Sequence, residues 1–569
     1  MLPQVAIGKQ NFLELRQKNC FYVDKTHFIK DWWNSASDVT LITRPRRFGK
    51  TLMLDTVKTF FSQEFTGRSD LFEELAVWKD EKLRNLQGTI PVIFLSFSDI
   101  KETKCINAIR QIKLFLNMLY DDFSLILDHN LFSEREKIQF DSVQENMDDI
   151  TAKTSLKFLC RLLVRQGYAK PIILLDEYDT PLLEAWLHSS WDELINFLRG
   201  FFNSTFKTNS WLERGLITGI TRVAKESIFS DLNNLQVVSV TSNLYTDCFG
   251  FTEQEVFTAM DTYGLSNKAE VKQWYDGFIF GDQHEIYNPW SIINFLATKE
   301  LNYYWADTSS NALVSDLLAH SDSKVKQQAE MLLKGHTIVT KIDEQIDFNT
   351  LYTKIGAIWS LLMTTGYLKP ISVNHKTQEC ELKITNLEAQ FIFESKISEW
   401  FMNLSSTYNY FLKALLENNI SEMNVLMSNI AEGSFSFFDT KGQIKNDIIE
   451  AESFYHGFVL GLLINLKDRY TITSNRESGF GRYDICMYPM QKSDPGIVIE
   501  FKSINKTDTY DLQNDCSKAL KQIKEKHYIK DLLVRNVPKY NIYIYGFVFQ
   551  GKNVLICGGL EEEIDLMSI

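Results

Sequence analysis

Val39-Thr40-Leu41-Ile42-Thr43-Arg44-Pro45-Arg46-Arg47-Phe48-Gly49-Lys50-Thr51 is the stretch on which the reading of the fold turns. Val39–Thr43 is a β-prone run, and Leu52–Phe61 behind it carries a helical pattern. Strand, loop, Gly-Lys-Thr and helix make a phosphate cradle, because loop amides and a helix N-terminus bind phosphate oxygens. In that layout Gly49 belongs to the cradle, Lys50 reaches the β- and γ-phosphates, and Thr51 helps hold Mg²⁺. The first Gly of the full pattern is replaced by Arg44, and Gly-Lys-Thr alone is also compatible with a plain helix start. Arg44, Arg46 and Arg47 read either as a solvated charge run or, better, as cations beside a phosphate ligand.

Working outward, Ile172-Ile173-Leu174-Leu175-Asp176-Glu177 is an unbroken apolar run that ends in two carboxylates. Such a run fits a strand buried on both faces of a parallel sheet. Asp176 at its C-terminal end is expected beside the cradle as a Mg²⁺ ligand, and Glu177 is placed to polarise a water. An Asp-Glu pair after a strand can also be a simple loop start. Pro91–Phe97 and Gly215–Ile220 supply further β-runs, the second leading into Thr218, Thr221 and Arg222. Thr218 and Arg222 are candidate γ-phosphate sensors, with capping or loop roles as the alternative.

The whole chain bounds these readings. At 569 residues it is too long for one core. With 44% hydrophobic residues, 40 Phe and 23 Tyr, it has the material for real cores. The formal net charge of -13 argues against a chain coated in nucleic acid but leaves room for a local basic groove. Met1–Gln10 lacks an apolar signal core, and Phe458–Leu466, the longest apolar candidate, is too short for a membrane span. Eight scattered cysteines form no CxxC or zinc-spaced cluster, so reduced, mostly buried thiols in a cytoplasm-like compartment are expected.

A third constellation lies near the C-terminus. Tyr470–Asn475, Arg482–Tyr488 and Ile497–Lys502 read as strands, the last following a Pro495-Gly496 turn. Glu500 and Lys502 are two apart and share a face, and Asp484 on the neighbouring hairpin strand can converge on it. Upstream, the helical pattern of Ile444–Leu466 carries Glu452. Carboxylates bind hard Mg²⁺ or Mn²⁺ through oxygen, such an ion activates water, and Lys502 can stabilise developing charge. The bland alternative is an edge strand with a solvated polar face. Leu512–Tyr528 follows as a helix with Lys518, Lys521, Lys524, Lys526 and Gln522, and Ile542–Phe549 closes the sheet.

These stretches resemble a known family. Thr43–Thr51, Leu175–Asp179, Thr218–Asn234, Phe249-Gly250-Phe251, and Trp274-Tyr275-Asp276-Gly277 through Tyr287-Asn288-Pro289-Trp290 are similar to the predicted AAA-ATPase-like family. Glu452 with Phe454-Tyr455-His456-Gly457, Asn475–Asp484, and Glu500-Phe501-Lys502 resemble the PD-(D/E)XK nuclease domain that members often carry. The resemblance implies nuclease roles for Asp484, Glu500 and Lys502, a helical acid at Glu452, and a following-helix Gln at Gln522. It also implies that a cradle without its first Gly is ordinary among such relatives.

The expected architecture is α/β and multidomain. A cap spans residues 1–35, a P-loop NTPase parallel sheet 36–240, a mostly helical region 241–430, and a restriction-endonuclease-like α/β domain 431–569. The expected function is NTP-gated, metal-dependent cleavage of nucleic acid, DNA foremost, in genome defence or mobile-element biology. ATP or another NTP with Mg²⁺ would serve the first site and Mg²⁺ or Mn²⁺ the second. A homo-oligomer is left open and no membrane partner is expected. The alternative is a regulatory ATP-binding switch whose nuclease-like domain only binds nucleic acid or protein.

Overall fold

The computed structural model describes the chain except residues 1, 188–190, 208, 224–227, 230–231, 306–322, 344, 347–354, 375, 378, 402–404, 435–446, 464–465, 468, 479–480, 492, 505–511, 551–552 and 565–569. Two compact units divide it: Met1–Ser309 with Val339–Gln390, and Ser310–Ile338 with Phe391–Ile569.

The first unit is built on five parallel strands: β1 (Val39–Thr43), β2 (Val92–Ser96), β3 (Ile172–Asp176), β4 (Arg214–Gly219) and β5 (Leu235–Val238). Their spatial order is β2-β3-β4-β1-β5. All five residues of β1 and of β3 are buried, as the continuous apolar runs require of strands covered on both faces. Helix α1 (His27–Trp33) and helix α2 (Lys50–Phe61) cover one face, where Trp32, Leu54, Val57 and Phe61 pack on Ile42, Leu174 and Leu216. On the other face, Gly215 admits no side chain because the Phe206 ring lies 2.8 Å from the position of a Cβ.

Register puts the functional ends together. Ile42 pairs with Thr218 and Thr43 with Gly219, while Ser96 pairs with Asp176. The crevice beyond the carboxyl ends of such strands is where parallel sheets bind ligands. Helices dominate the following region, but short strands interrupt it: β6 (Phe251–Thr252), β7 (Phe278–Phe280) and β8 (Gln283–Tyr287) form one small sheet. Helix α3 (Pro289–Thr298) follows, started by an Asn288 cap with Pro at its first position.

The second unit holds a mixed sheet of β9 (Tyr470–Ser478), β10 (Gly481–Pro489), β11 (Gly496–Ser503), β12 (Ile542–Gln550) and β13 (Asn553–Leu560), ordered as numbered. Only the central pair β11–β12 is parallel. Alternation along β11 sends Ile497, Ile499 and Phe501 into a core with helix α4 (Asp447–Leu463). Val498 points to the opposite core, under helix α5 (Leu512–Glu525). Among the described residues no helix is long and apolar enough to cross a membrane.

The expectation of eight reduced thiols needs correction. Cys516 on α5 and Cys557 on β13 form a disulfide with Cα atoms 6.1 Å apart. Sequence spacing could not reveal it, because the partners stand 41 residues apart and meet only through packing of helix on sheet. Cys20, Cys105, Cys160, Cys248, Cys380 and Cys486 are free thiols.

Candidate nucleotide cleft and candidate nuclease centre

The loop between β1 and α2 turns on two left-handed residues, Arg47 (φ 67°) and Gly49 (φ 81°). Glycine meets that demand without strain, and any other residue at position 49 would be strained by the backbone alone. Lys50 is buried, and its ammonium donates to the carbonyls of Arg44 (2.9 Å) and Pro45 (2.8 Å). Burial pushes its pKa down to about 8, against the pull of Glu177, Asp176 and Asp179.

Thr51 and Thr218 meet on Asp176. The Thr51 hydroxyl donates to one carboxylate oxygen at 2.6 Å and the Thr218 hydroxyl to the other at 2.5 Å. Asp176 is 1% exposed, and burial raises its pKa although both hydroxyl bonds oppose the shift. Glu177 is left-handed (φ 50°), accepts from the Thr180 hydroxyl at 3.1 Å, and lines the cleft. The cleft, of about 460 Å³, lies within the first unit and is large enough for a nucleotide. Arg46, Arg47, Gly49, Lys50 and Thr51 line it, and Phe21, Tyr22 and Trp290 are among its aromatic walls.

Three of the expected phosphate contacts need correction: Thr218 is fully buried on Asp176 and, like Arg44 and Arg222, does not line the cleft. Arg44 does not face the cleft. It is completely buried, and its guanidinium donates to Thr43 O (2.9 Å), Val238 O (3.3 Å), Ser239 O (2.7 Å), Leu244 O (3.3 Å) and Tyr245 O (3.5 Å). The ring of Phe280 covers it at 4.6 Å. Its charge is consumed by main-chain carbonyls, so it braces the loop from behind. Arg222 does not line the cleft either, since its short strand, Arg222–Val223, pairs with Gln345–Ile346.

Several supports carried no role in the sequence reading. Phe48 inserts between Phe278 and Phe280, with ring centroids 4.8 and 5.4 Å away. Arg47 lies over Trp290 at 4.2 Å, and the Asn288 amide donates to Arg46 O at 3.4 Å. Asp179 is fully buried and accepts from the amides of Ile220 (2.9 Å) and Thr221 (2.8 Å), tying the acidic loop to the end of β4. Gly219 permits that approach, because a Cβ there would stand 2.6 Å from the Tyr178 ring. The motifs Phe249-Gly250-Phe251 and Tyr287-Asn288-Pro289-Trp290 marked these places without showing what they touch.

In the second unit, β10 and β11 pair through Ile485 with Ile499 and then part. Asp484 and Glu500 follow at the fork. The Asp484 carboxylate bridges the opening by accepting the Phe501 amide at 2.8 Å. Glu500 is 2% exposed, and its Oε1 accepts from Lys502 Nζ at 3.3 Å and from the Gln522 amide. Gln522 Oε1 in turn accepts from Lys502 Nζ at 2.9 Å, and its amide also donates to Tyr528 Oη at 3.3 Å. The result is a half-buried knot of two carboxylates, one ammonium and one amide. Glu452 lies on α4, and its side chain falls outside the described residues.

His456, quoted in the nuclease-like motif but given no role by it, also reaches this fork. Its Nε2 lies 3.1 Å from Asp484 O and 2.9 Å from Ser474 Oγ, so it buttresses the main chain at the fork. Burial raises the Asp484 pKa and lowers that of His456. A buried acid with a raised pKa, set beside hard oxygen donors and a lysine, fits a divalent cation.

Residues 6–229 match the family described as predicted AAA-ATPase, and residues 450–558 match the PD-(D/E)XK nuclease superfamily. Over 589 aligned positions the chain is 24% identical to an uncharacterized protein in the vnfD 5′ region of Azotobacter chroococcum mcd 1, and the alignment covers 99% of each chain.

Proposed function

We propose, for a chain that joins an AAA-ATPase-like domain to a PD-(D/E)XK nuclease superfamily domain, that it is a nucleotide-controlled nuclease with DNA as substrate. The observation that carries this reading is the knot of Asp484, Glu500, Lys502 and Gln522 at the fork of β10 and β11. A module that only bound nucleic acid would have no use for two carboxylates in a half-buried, phosphate-repelling position. Asp484 and Glu500, with Glu452 from α4, would hold Mg²⁺ or Mn²⁺. Such an ion, when bound, offsets phosphodiester charge and acidifies water. Lys502 adds positive charge where the transition state gains negative charge, and Gln522 fixes both Lys502 and Glu500 in place.

In the first unit, Thr51 and Asp176 would hold Mg²⁺ with an NTP, ATP foremost. Lys50 would leave the carbonyls of Arg44 and Pro45 for the β- and γ-phosphates. Glu177, beside Thr180 at the cleft, would orient the attacking water as a base. Arg46 and Arg47 would face the phosphates from the loop, and Thr218 would report the state of Asp176. Genome defence or mobile-element biology is the setting such an enzyme would serve.

The test incubates purified protein with supercoiled plasmid and, separately, with RNA. Each is run with and without Mg²⁺ or Mn²⁺, and with ATP, a non-hydrolysable analogue or no nucleotide. Metal-dependent nicking or linearisation that responds to nucleotide is expected. Intact substrates under every condition would leave the protein a binding switch.

A further inference from the structure

Among the described residues, two clusters of potential metal ligands lie apart from the Lys50 loop and the Asp484/Glu500 centre, both in the first unit. One, Glu253 with Asp276 and Glu285, already has its cation. Lys272 Nζ is bonded to Glu253, lies 2.6 Å from Glu285, and is 4.0 Å from Asp276. An ammonium stands where an ion would sit, and the cluster is an ordinary charge network.

The other cluster is different in kind. His27 opens helix α1, and Asp247 and Cys248 precede the Phe249-Gly250-Phe251 turn. His27 Nε2 lies 3.4 Å from Asp247 Oδ1 and 3.3 Å from Cys248 Sγ, and that sulfur lies 3.7 Å from the same Oδ1. A zinc-class ion with nitrogen, oxygen and sulfur ligands at about 2.0–2.3 Å in tetrahedral array spaces those ligands about 3.3–3.6 Å apart. Two of the three separations fall in this range and the third, sulfur to Oδ1, lies just beyond it. Two protons hold the group together as it stands, Nε2–H and the Cys248 thiol both donating to Asp247 Oδ1, and a bound ion would displace them.

The neighbouring ammonium is directed elsewhere. Lys25 Nζ donates to the main-chain oxygen of Asp247 at 2.6 Å and to Glu255 at 2.7 Å, leaving the Asp247 carboxylate to the other two groups. Cys248 is 2% exposed, whereas the His27 and Asp247 side chains are 32% and 54% exposed, so a fourth position opens toward solvent. A set of one imidazole, one thiolate and one carboxylate suits a borderline-soft divalent ion and not Mg²⁺ or Ca²⁺.

We propose that His27, Asp247 and Cys248 form a zinc-class metal site that staples α1 to the segment leading into Phe249-Gly250-Phe251. Cys248 lines the nucleotide cleft, so the ion would stiffen one of its walls. This site is independent of the nuclease reading and stands or falls separately.

The experiment titrates metal-stripped, reduced full-length protein with Co²⁺ and records the near-ultraviolet thiolate-to-cobalt charge-transfer band. One equivalent of Zn²⁺ should remove the band. Both His27→Ala and Cys248→Ser should lack it, whereas Cys486→Ser should keep it. Zn²⁺ should also raise the melting temperature of the wild type and leave that of His27→Ala unchanged. If Cys248→Ser does not fold, His27→Ala decides alone, since His27 is partly exposed. Absence of the band in the wild type, or its survival in either ligand variant, would overturn the proposal.

Discussion

The ammonium of Lys50 lies 2.8 Å from the carbonyl oxygen of Pro45, five residues back along its own loop. In this arrangement the ammonium satisfies two main-chain carbonyls, those of Arg44 and Pro45. On the proposed reading, nucleotide would compete with these carbonyls for Lys50, and that competition would have a proton signature.

Burial holds the Lys50 pKa at about 8, below its ordinary 10.5. Between those values the unfolded chain binds more protons than the folded one. The stability penalty is thus fully present below about pH 8 and is relieved as pH rises toward 10.5. Phosphates favour the charged form, so ATP binding somewhat above pH 8 should take up protons. Calorimetry in two buffers of different ionisation enthalpy measures the uptake, and Lys50→Ala should abolish it while weakening binding roughly 10- to 100-fold. Equal heats in both buffers would contradict this account.

Arg44 and Arg46 should behave as opposites. Arg44→Met strands five carbonyl acceptors around a buried site and should lower the melting temperature by roughly 5–10 °C. Arg46→Ala, at the cleft, should leave the melting temperature alone and weaken ATP binding several-fold. Thermal melts and ATP titrations of the two variants check this, and the reverse pattern would refute the assignment.

At the nuclease centre, Asp484→Asn and Glu500→Gln should each remove metal-dependent cleavage. Lys502→Ala should still bind metal but turn over at least ~100-fold more slowly, because its charge acts mainly on the transition state. Gln522→Ala frees both Lys502 and Glu500 and should fall between, about tenfold down. Mn²⁺ binding measured beside cleavage separates the classes.

The raised Asp484 pKa adds a pH dependence. Without metal, the folded protein keeps this proton to a higher pH than the unfolded chain does, so its contribution to stability declines as pH rises through that window. A divalent cation displaces the proton. Metal affinity should therefore fall as pH is lowered through the raised Asp484 value, and Asp484→Asn should flatten that slope. Mn²⁺ titrations across the acid range provide the measurement.

The disulfide makes a simpler forecast. Of eight cysteines, six should react with a thiol reagent in the denatured, unreduced protein. Reduction should then lower the melting temperature of the second unit by loosening α5, the helix that carries Gln522. Eight reactive thiols without reductant would contradict the pairing.

What the sequence made legible was local. Ile172–Asp176 announced a buried strand through its own apolar run, and the Pro495-Gly496 turn separated two strands that do pair. Alternation alone put Glu500 and Lys502 on one face. The role of Arg44 was invisible, because four of its five acceptors, Val238, Ser239, Leu244 and Tyr245, lie about 200 residues downstream. His456 stands within a legible motif, yet only the packing of α4 on the sheet brings it to Asp484 O. Arg222 misled for the converse reason: a residue beside the right strand end belongs to a chain that has already turned into another pairing.

Phe48 carries a consequence for how this protein could have evolved. Its ring is gripped by Phe278 and Phe280, and the loop's arginines 44 and 47 are held by Ser239, Tyr245 and Trp290. The phosphate loop and the stretch from 238 to 290 are thus two halves of one working part. A recombination event that joined this loop to a foreign downstream segment would strip it of its aromatic clamp and leave a buried arginine without acceptors. Exchange of nuclease domains between relatives breaks no such grip, since Ser239, Tyr245, Phe278, Phe280 and Trp290 all belong to the first unit. Inheritance should therefore keep the first unit whole and let the nuclease domain vary.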